Sequence, residues 1–94
     1  MAKYLVTYDL VGTDETSDDY ERLIEKIQTY GDPGRIQKSV WLIKSDKSAA
    51  EIRAELWEYM DGNDRLAVIL ITGTSSVTRN LADSAWYLNF METE

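Results

Sequence analysis

The chain has 94 residues, enough for one small domain and too few for two. Its net charge of −7 disfavours non-specific adhesion to nucleic acid, because that adhesion depends on Lys and Arg. The absence of cysteine and histidine excludes disulfides, thiolate metal sites and any histidine base, so catalysis would need oxygen-ligated hard metals or Asp, Glu, Tyr, Ser, Lys and Arg side chains.

The first half of the chain predicts a strand, a helix and a further extended stretch. Residues 3–10 are β-branched, aromatic and aliphatic, which favours a buried strand. Apolar residues at helical spacing predict a helix over 18–30, and Gly31 is predicted to end it. Residues 35–44 have strand character and no hairpin signal, so they are one long strand or two strands broken near Lys38-Ser39.

The second half predicts helix, strand and helix. Ser48 and Glu51 have the spacing of a capping box, and the turn at 61–64 ends that helix. The continuous apolar run 66–71 predicts a strand covered on both faces. Helical spacing then predicts a final helix over 78–91, followed by a frayed end.

If the middle stretch is two strands, this order is a ferredoxin-like βαββαβ α+β fold with an additional C-terminal helix, in a single domain over 1–94. Two helices would cover one face of the sheet, and a second subunit or the last helix would cover the other. A lone chain of this size buries a core only marginally, so we expect a homodimer. No signal peptide or membrane-spanning run is visible, so we expect a cytoplasmic protein with no membrane partner.

Asp9 is the plainest candidate functional residue, because it ends the probable central strand and precedes a loop. Two interpretations stay open: a ligand for Mg²⁺ or Mn²⁺, or a turn residue that accepts backbone N–H bonds. The acidic residues that follow could add a metal ligand, although a solvated loop and helix start is the preferred interpretation. These residues are Asp14, Glu15, Asp18 and Asp19.

Other polar and aromatic residues have both a functional and a structural interpretation. Ser39 could bind phosphate or orient Asp9, or could be a small residue at a strand break. Trp41 could stack on a base or belong to the core or a dimer interface. Lys38 and Arg35 could contact phosphate, although a solvated sheet edge is preferred.

The turn after the second helix is interpreted as structural. Asp61 and Asp64 lack the EF-hand pattern, so a metal site is not favoured there. A local Asp–Arg pair that ends the helix, formed within Asp61, Asp64 and Arg65, is the preferred prediction.

Three motifs stand in order along the chain: Tyr4-Leu-Val-Thr-Tyr-Asp-Leu10, a helix ending in Tyr30-Gly31, and Gln37-Lys-Ser-Val-Trp41. Together they resemble the small CRISPR-associated endoribonuclease family, the second core protein of spacer acquisition. The chain is more similar still to the SinR-like branch, which shares the first motif and Tyr59-Met-Asp-Gly-Asn-Asp-Arg-Leu66. The toxin VapD belongs to the same structural group.

The resemblance implies a ferredoxin-like homodimer whose sheets pack together and whose two Asp9 carboxylates meet around Mg²⁺ or Mn²⁺. It implies a metal-dependent endonuclease that hydrolyses RNA or DNA in antiviral defence, with a possible protein partner in a defence complex. The Ser and the aromatic residue of the family motif fall on Ser39 and Trp41. Ser39 is therefore the second candidate catalytic residue.

The chain also departs from the family. Family nucleases often carry two arginines after the acid, where this chain has residues 18–21, rich in acid, and only Arg22. The family's exchanged fifth strand is replaced by a predicted helix. Both departures favour a second hypothesis, a non-catalytic dimeric scaffold that binds a protein partner or a nucleic-acid end. A third, a small-molecule-sensing regulatory dimer, has no Gly-rich ligand loop to support it and ranks last.

Overall fold

The computed structural model describes residues 1–11, 17–73 and 76–93. These ranges contain four strands and three helices. Their bounds are β1 Ala2–Asp9, α1 Ser17–Ile27, β2 Gly31–Gln37, β3 Val40–Ser45, α2 Ala49–Trp57, β4 Arg65–Ile71 and α3 Ser84–Glu92. No helix among the described residues is long and apolar enough to cross a membrane.

The strands form one antiparallel sheet in the order β2-β3-β1-β4. Tyr4 of β1 pairs with Ile43 of β3 on one side and with Leu70 of β4 on the other, so β1 is a central strand. This strand order, with helices connecting β1 to β2 and β3 to β4, confirms the predicted ferredoxin-like α+β fold. The additional C-terminal helix, α3, is also present.

The middle stretch divides into β2 and β3 at a turn formed by Lys38-Ser39. The alternative of two strands is therefore the correct one. The predicted end of the first helix at Gly31 is wrong, because α1 ends at Ile27 and Gly31 already pairs with Lys44 of β3. Irregular pairing along β2 accommodates Asp32, whose φ of 45° is left-handed, and the proline that follows it.

The helices α1 and α2 cover the first face of the sheet and enclose the larger core. Strand residues alternate between faces, so every second residue of β1 points into this core. Ser48 caps α2 through the predicted capping box, in which the Ser48 hydroxyl and the Glu51 carboxylate each accept a backbone N–H bond. The fully or largely buried core residues are Tyr4, Val6, Tyr8, Leu10, Leu23, Ile27, Tyr30, Trp41, Ile43, Ile52 and Leu56.

The helix α3 packs on the second face of the sheet and forms a smaller cluster there. Its buried residues Tyr87, Phe90 and Met91 pack with Leu42 of β3. Two lysines bind the carboxyl end of the helix: Lys3 donates to the carbonyl of Met91 at 2.7 Å, and Lys44 donates to the hydroxyl of Thr93 at 2.8 Å. Positive charge at a helix carboxyl end is favourable, which helps hold α3 on the sheet.

Two predictions about the second half are wrong in detail. The run 66–71 is not covered on both faces, because β4 is an edge strand with Ile69 and Leu70 each half exposed. The last helix does not begin at residue 78. It begins at Ser84, where the Asp83 side chain accepts the Trp86 N–H and caps it.

Candidate functional site

Asp9 is the last residue of β1 and lies at one end of the sheet, with its side chain 62% exposed. Strand alternation places this side chain on the second face, because Tyr8 before it points into the core beneath α1 and α2. The β2–β3 turn and the first residue of β4 lie at the same end of the sheet. The end of a central strand therefore presents one carboxylate to solvent, between the β2–β3 turn and the start of β4.

Arg65 is the neighbour of Asp9 across the strand pair. The two are register partners, and Arg65 Nη1 lies 3.8 Å from Asp9 Oδ2. The predicted local Asp–Arg pair of the turn after α2 is thus wrong, because the antiparallel register brings Arg65 to an acid far away in sequence. Sequence reasoning overlooked this contact, although the ferredoxin-like strand order alone places the start of β4 opposite the end of β1.

Asp64 instead holds the chain that leaves β1. Its two carboxylate oxygens accept the backbone N–H of Val11 at 2.8 Å and that of Asp61 at 2.7 Å. The Asn63 side chain donates to the carbonyl of Val11 at 3.1 Å. The turn after α2 therefore anchors the residue two positions beyond Asp9, and it fixes where the Asp9 loop leaves the sheet.

Ser39 lies beside the same end of β1, since its carbonyl accepts the backbone N–H of Tyr8 at 3.1 Å. The structure thus places the two predicted catalytic residues, Asp9 and Ser39, on adjacent strand ends. Trp41 is 5% exposed and donates its indole N–H to the Tyr8 hydroxyl at 3.2 Å, so it is a core residue and cannot stack on a base.

Arg35 does not reach the Asp9 side of the sheet. Its guanidinium donates to the carbonyl of Lys38 at 2.6 and 3.0 Å and lies over the Trp41 ring, on the helix-covered face. This arrangement supports the structural interpretation of Arg35. Lys38 is exposed in the β2–β3 turn.

Asp9 has few acidic neighbours among the residues that the structure describes. Within that part of the chain no group of three or more Asp or Glu side chains is arranged to hold a metal ion. Asp14 and Glu15, predicted as possible extra ligands, lie outside the described residues, whereas Asp18 is exposed in the first turn of α1. A metal ion at Asp9 would therefore draw its other ligands from water, substrate or a second subunit.

A separate group of interacting ionisable side chains lies between α1 and α2. Glu55 accepts hydrogen bonds from Lys47 and from the Tyr30 hydroxyl, both at 2.5 Å, and Lys26 lies 3.6 Å away. The bonds from Lys47 and Tyr30 lower the pKa of Glu55 to about 2. Burial, followed by the bond to Glu55, raises the pKa of Tyr30. The group joins the end of α1 to α2, on the face of the sheet opposite Asp9.

Comparison with known proteins supports the fold. No family model matches the chain. A solved structure described as a hypothetical protein TT1823 from Thermus thermophilus is similar, with a TM-score of 0.63 and 22% sequence identity. The match covers 83% of this chain and 90% of the other. At that identity the likeness shows a shared fold over most of both chains.

Proposed function

We propose that the protein is a metal-dependent endonuclease of the CRISPR-associated endoribonuclease type, SinR-like in sequence, which acts as a cytoplasmic homodimer. The observation that most strongly supports this proposal is the position of Asp9. It is an exposed carboxylate at the end of a central strand, on a face of the sheet that α3 leaves partly open. The first of the motifs that suggest the family, Tyr4–Leu10, contains this same residue.

The open part of the second face supports a dimer centred near Asp9. The helix α3 packs on β2, on β3, on β1 as far as Leu5 and on the end of β4 at Ile71, whereas Ile69 of β4 remains 52% exposed. Register pairing and strand alternation place Thr7, Ala67 and Ile69 on this face next to Asp9. A twofold axis through this open area would bring the two Asp9 side chains close together.

The donor set at Asp9 suits a hard cation, because it consists of carboxylate oxygens and no nitrogen or sulfur ligand. Asp9 of both subunits would hold Mg²⁺ or Mn²⁺, and such an ion would supply charge neutralisation and a water of lowered pKa. Asp9 positions that charge on a rigid strand end, and Asp64 and Asn63 fix the backbone that follows. The Ser39 hydroxyl is a candidate donor to the phosphate beside it.

Replacement of Asp9 tests the catalytic proposal. We expect Asp9→Asn to abolish cleavage of labelled RNA and DNA in Mg²⁺ or Mn²⁺ while it leaves the fold intact. Asp46→Asn is the matched control, because Asp46 is exposed beyond the opposite end of the sheet and makes the same change of charge. Wild type inactive with both metals and both nucleic acids, or Asp9→Asn as active as wild type, rejects the proposal.

The dimer has its own test. Ile69→Lys should shift the mass in solution toward the monomer, because it places a charge in the proposed interface. Leu88→Lys is the control, since Leu88 is 57% exposed on α3 and carries a similar apolar side chain. A wild-type monomer with and without divalent cation, or equal masses for the two variants, contradicts the proposed dimer.

One observation favours the second hypothesis, a non-catalytic dimeric scaffold. Arg65 already faces Asp9, and an exposed acid beside an arginine is also a common surface ion pair. In that case Asp9 would join β1 to β4, and the protein would bind a partner protein or a nucleic-acid end without cleaving it. Oligonucleotide binding without cleavage under all metal conditions is the outcome that this scaffold predicts.

A further inference from the structure

Arg65 pairs in register with Asp9, and its guanidinium has no hydrogen-bond acceptor within the described part of the chain. The Asp9 oxygen lies 3.8 Å from Nη1, which is beyond hydrogen-bond range, and the Arg65 side chain is 77% exposed. A guanidinium offers five N–H donors in a planar fork that fits phosphate in a bidentate manner. Arg65 therefore has its donors free beside the candidate catalytic acid.

Most of the other described cations are bound elsewhere or lie away from Asp9, whereas Lys38 is exposed in the β2–β3 turn at the same end of the sheet and Arg79 is exposed before α3. Five of them contact groups of the protein: Lys3 and Lys44 at the end of α3, Lys26 and Lys47 at Glu55, and Arg35 at the Lys38 carbonyl. Arg22 and Arg53 lie on the helices that cover the first face. Arg65 is thus the described cation that pairs in register with Asp9, on the same face of the sheet.

The surroundings of Arg65 leave room for a phosphate. A shallow depression lies at this end of the sheet, lined by Thr7, Tyr8, Asp9, Arg65, Leu66 and Ala67. Ala67 is small and pairs with Thr7, so strand alternation places a hydroxyl and a methyl group beside Asp9 and Arg65 on the same face of the sheet. Because an exposed Asp–Arg pair is weak, the arginine can exchange the carboxylate for a phosphate at little cost.

We propose that Arg65 binds the phosphate of a polynucleotide at this depression, and so supplies the cation that the acidic loop after Asp9 lacks. This inference rests on the proposed function, which assigns the nucleic-acid substrate to the same site. A metal ion at Asp9 would release Arg65 from its ion pair toward the phosphate. Without a metal ion, the Arg65 guanidinium interacts with both the Asp9 carboxylate and the phosphate of the bound polynucleotide.

Binding of a fluorescein-labelled single-stranded RNA in EDTA, followed by anisotropy, tests Arg65 without any cleavage. We expect Arg65→Gln to weaken binding roughly 10-fold and to reduce the slope of log K against log salt by about 0.7, the value for one lost phosphate contact. Arg65→Lys should recover part of the affinity, because it keeps the charge but not the fork. Arg53→Gln makes the same change of charge on α2 and should bind as wild type.

The Asp9→Asn variant separates phosphate binding from a purely structural ion pair. Phosphate binding predicts tighter RNA binding by Asp9→Asn in EDTA, because the variant removes a negative charge and frees Arg65. A structural pair predicts that Asp9→Asn and Arg65→Gln change the melting temperature alike and leave RNA affinity unchanged, and that result overturns the inference. Wild type that does not bind the RNA, or equal affinities of Arg65→Gln and Arg53→Gln, overturns it as well.

The cleavage assay shows whether the role of Arg65 or the proposed nuclease function is wrong. Cleavage that depends on Asp9 but has an unchanged KM in Arg65→Gln overturns only the role of Arg65. RNA binding that depends on Arg65, in a protein that cleaves nothing, overturns only the nuclease.

Discussion

Gly34 in β2 is the position where one added methyl group tests the docking of α3 most directly. A Cβ atom at this residue would overlap the ring atoms Cη2 and Cζ2 of Trp86. The ring cannot move freely, because its Nε1 donates to Asp32 Oδ1 at 3.0 Å and its centroid lies 5.1 Å from that of Phe90. Gly34→Ala must therefore displace Trp86 and break these contacts, or shift the strand.

The expected cost follows from this overlap. Overpacking of one methyl group destabilises proteins by about 1–3 kcal/mol, and a loss of about 2 kcal/mol would lower the melting temperature of this small domain by about 10 °C. The φ of Gly34 lies outside the left-handed region, so backbone strain adds nothing to the effect. Gly62→Ala is the matched control: no atom lies within 4 Å of its added Cβ, and the reduced freedom of the unfolded chain should stabilise by less than ~1 kcal/mol.

Urea unfolding of wild type and of both alanine variants measures these differences. A second background makes the test specific, because Trp86→Ala removes the three atoms nearest to the added methyl group, so the cost of Gly34→Ala should fall there. Equal stability of Gly34→Ala and Gly62→Ala would refute the packing of Trp86 against β2. An undiminished penalty for Gly34→Ala in the Trp86→Ala background would show that the penalty has another origin.

Two further predictions concern stability. Phe90→Ala should lower the free energy of unfolding by about 3–5 kcal/mol, because Phe90 is fully buried in the α3 cluster. The exposed Leu88 is the control, and Leu88→Ala should change the free energy of unfolding by less than ~0.5 kcal/mol. Similar effects of the two variants in urea unfolding would contradict the orientation of α3. The contribution of Glu55 to the free energy of unfolding should depend on pH. The pKa of Glu55 in the folded protein, about 2, lies below the usual value of 4.5, so the contribution is complete above pH 4.5 and declines as pH falls toward 2. The difference in urea stability between wild type and Glu55→Gln should accordingly shrink across that window, and a constant difference would contradict the ion-pair network.

The elements predicted correctly are those that local chemistry specifies. The capping box at Ser48 marks the start of α2, and the dense β-branched composition marks β1. The predicted start of the second strand was wrong because Gly31-Asp-Pro-Gly34 resembles a turn, whereas pairing of Gly31 with Lys44 extends the strand through it. Local patterns did not contain that pairing, since it comes from the neighbouring strand.

In the candidate site, too, features set by local sequence were predicted, whereas contacts with a distant strand were not. The position of Asp9 at a strand end followed from the sequence, and the structure places it there. Its contact with Arg65 depends on the register of two strands more than fifty residues apart, and so the preferred prediction paired Arg65 with an acid of its own turn. The burial of β4 was overestimated for a related reason, because an apolar run does not tell whether a strand lies at the centre or the edge of a sheet.

This chain ends in the helix α3, whereas the family that it resembles often ends in an exchanged strand. The position of α3 decides whether this helix obstructs the candidate site at Asp9. Lys3 and Lys44 bind the carboxyl end of α3 near the start of β1, and Trp86 fixes its amino end over β2. Asp9 lies at the other end of β1, seven residues along the strand from Ala2 and so roughly 23 Å away at the usual rise per residue. A partner subunit or a nucleic acid can therefore approach Asp9 and Arg65 while α3 stays docked, and a C-terminal helix in place of an exchanged strand is compatible with the proposed function.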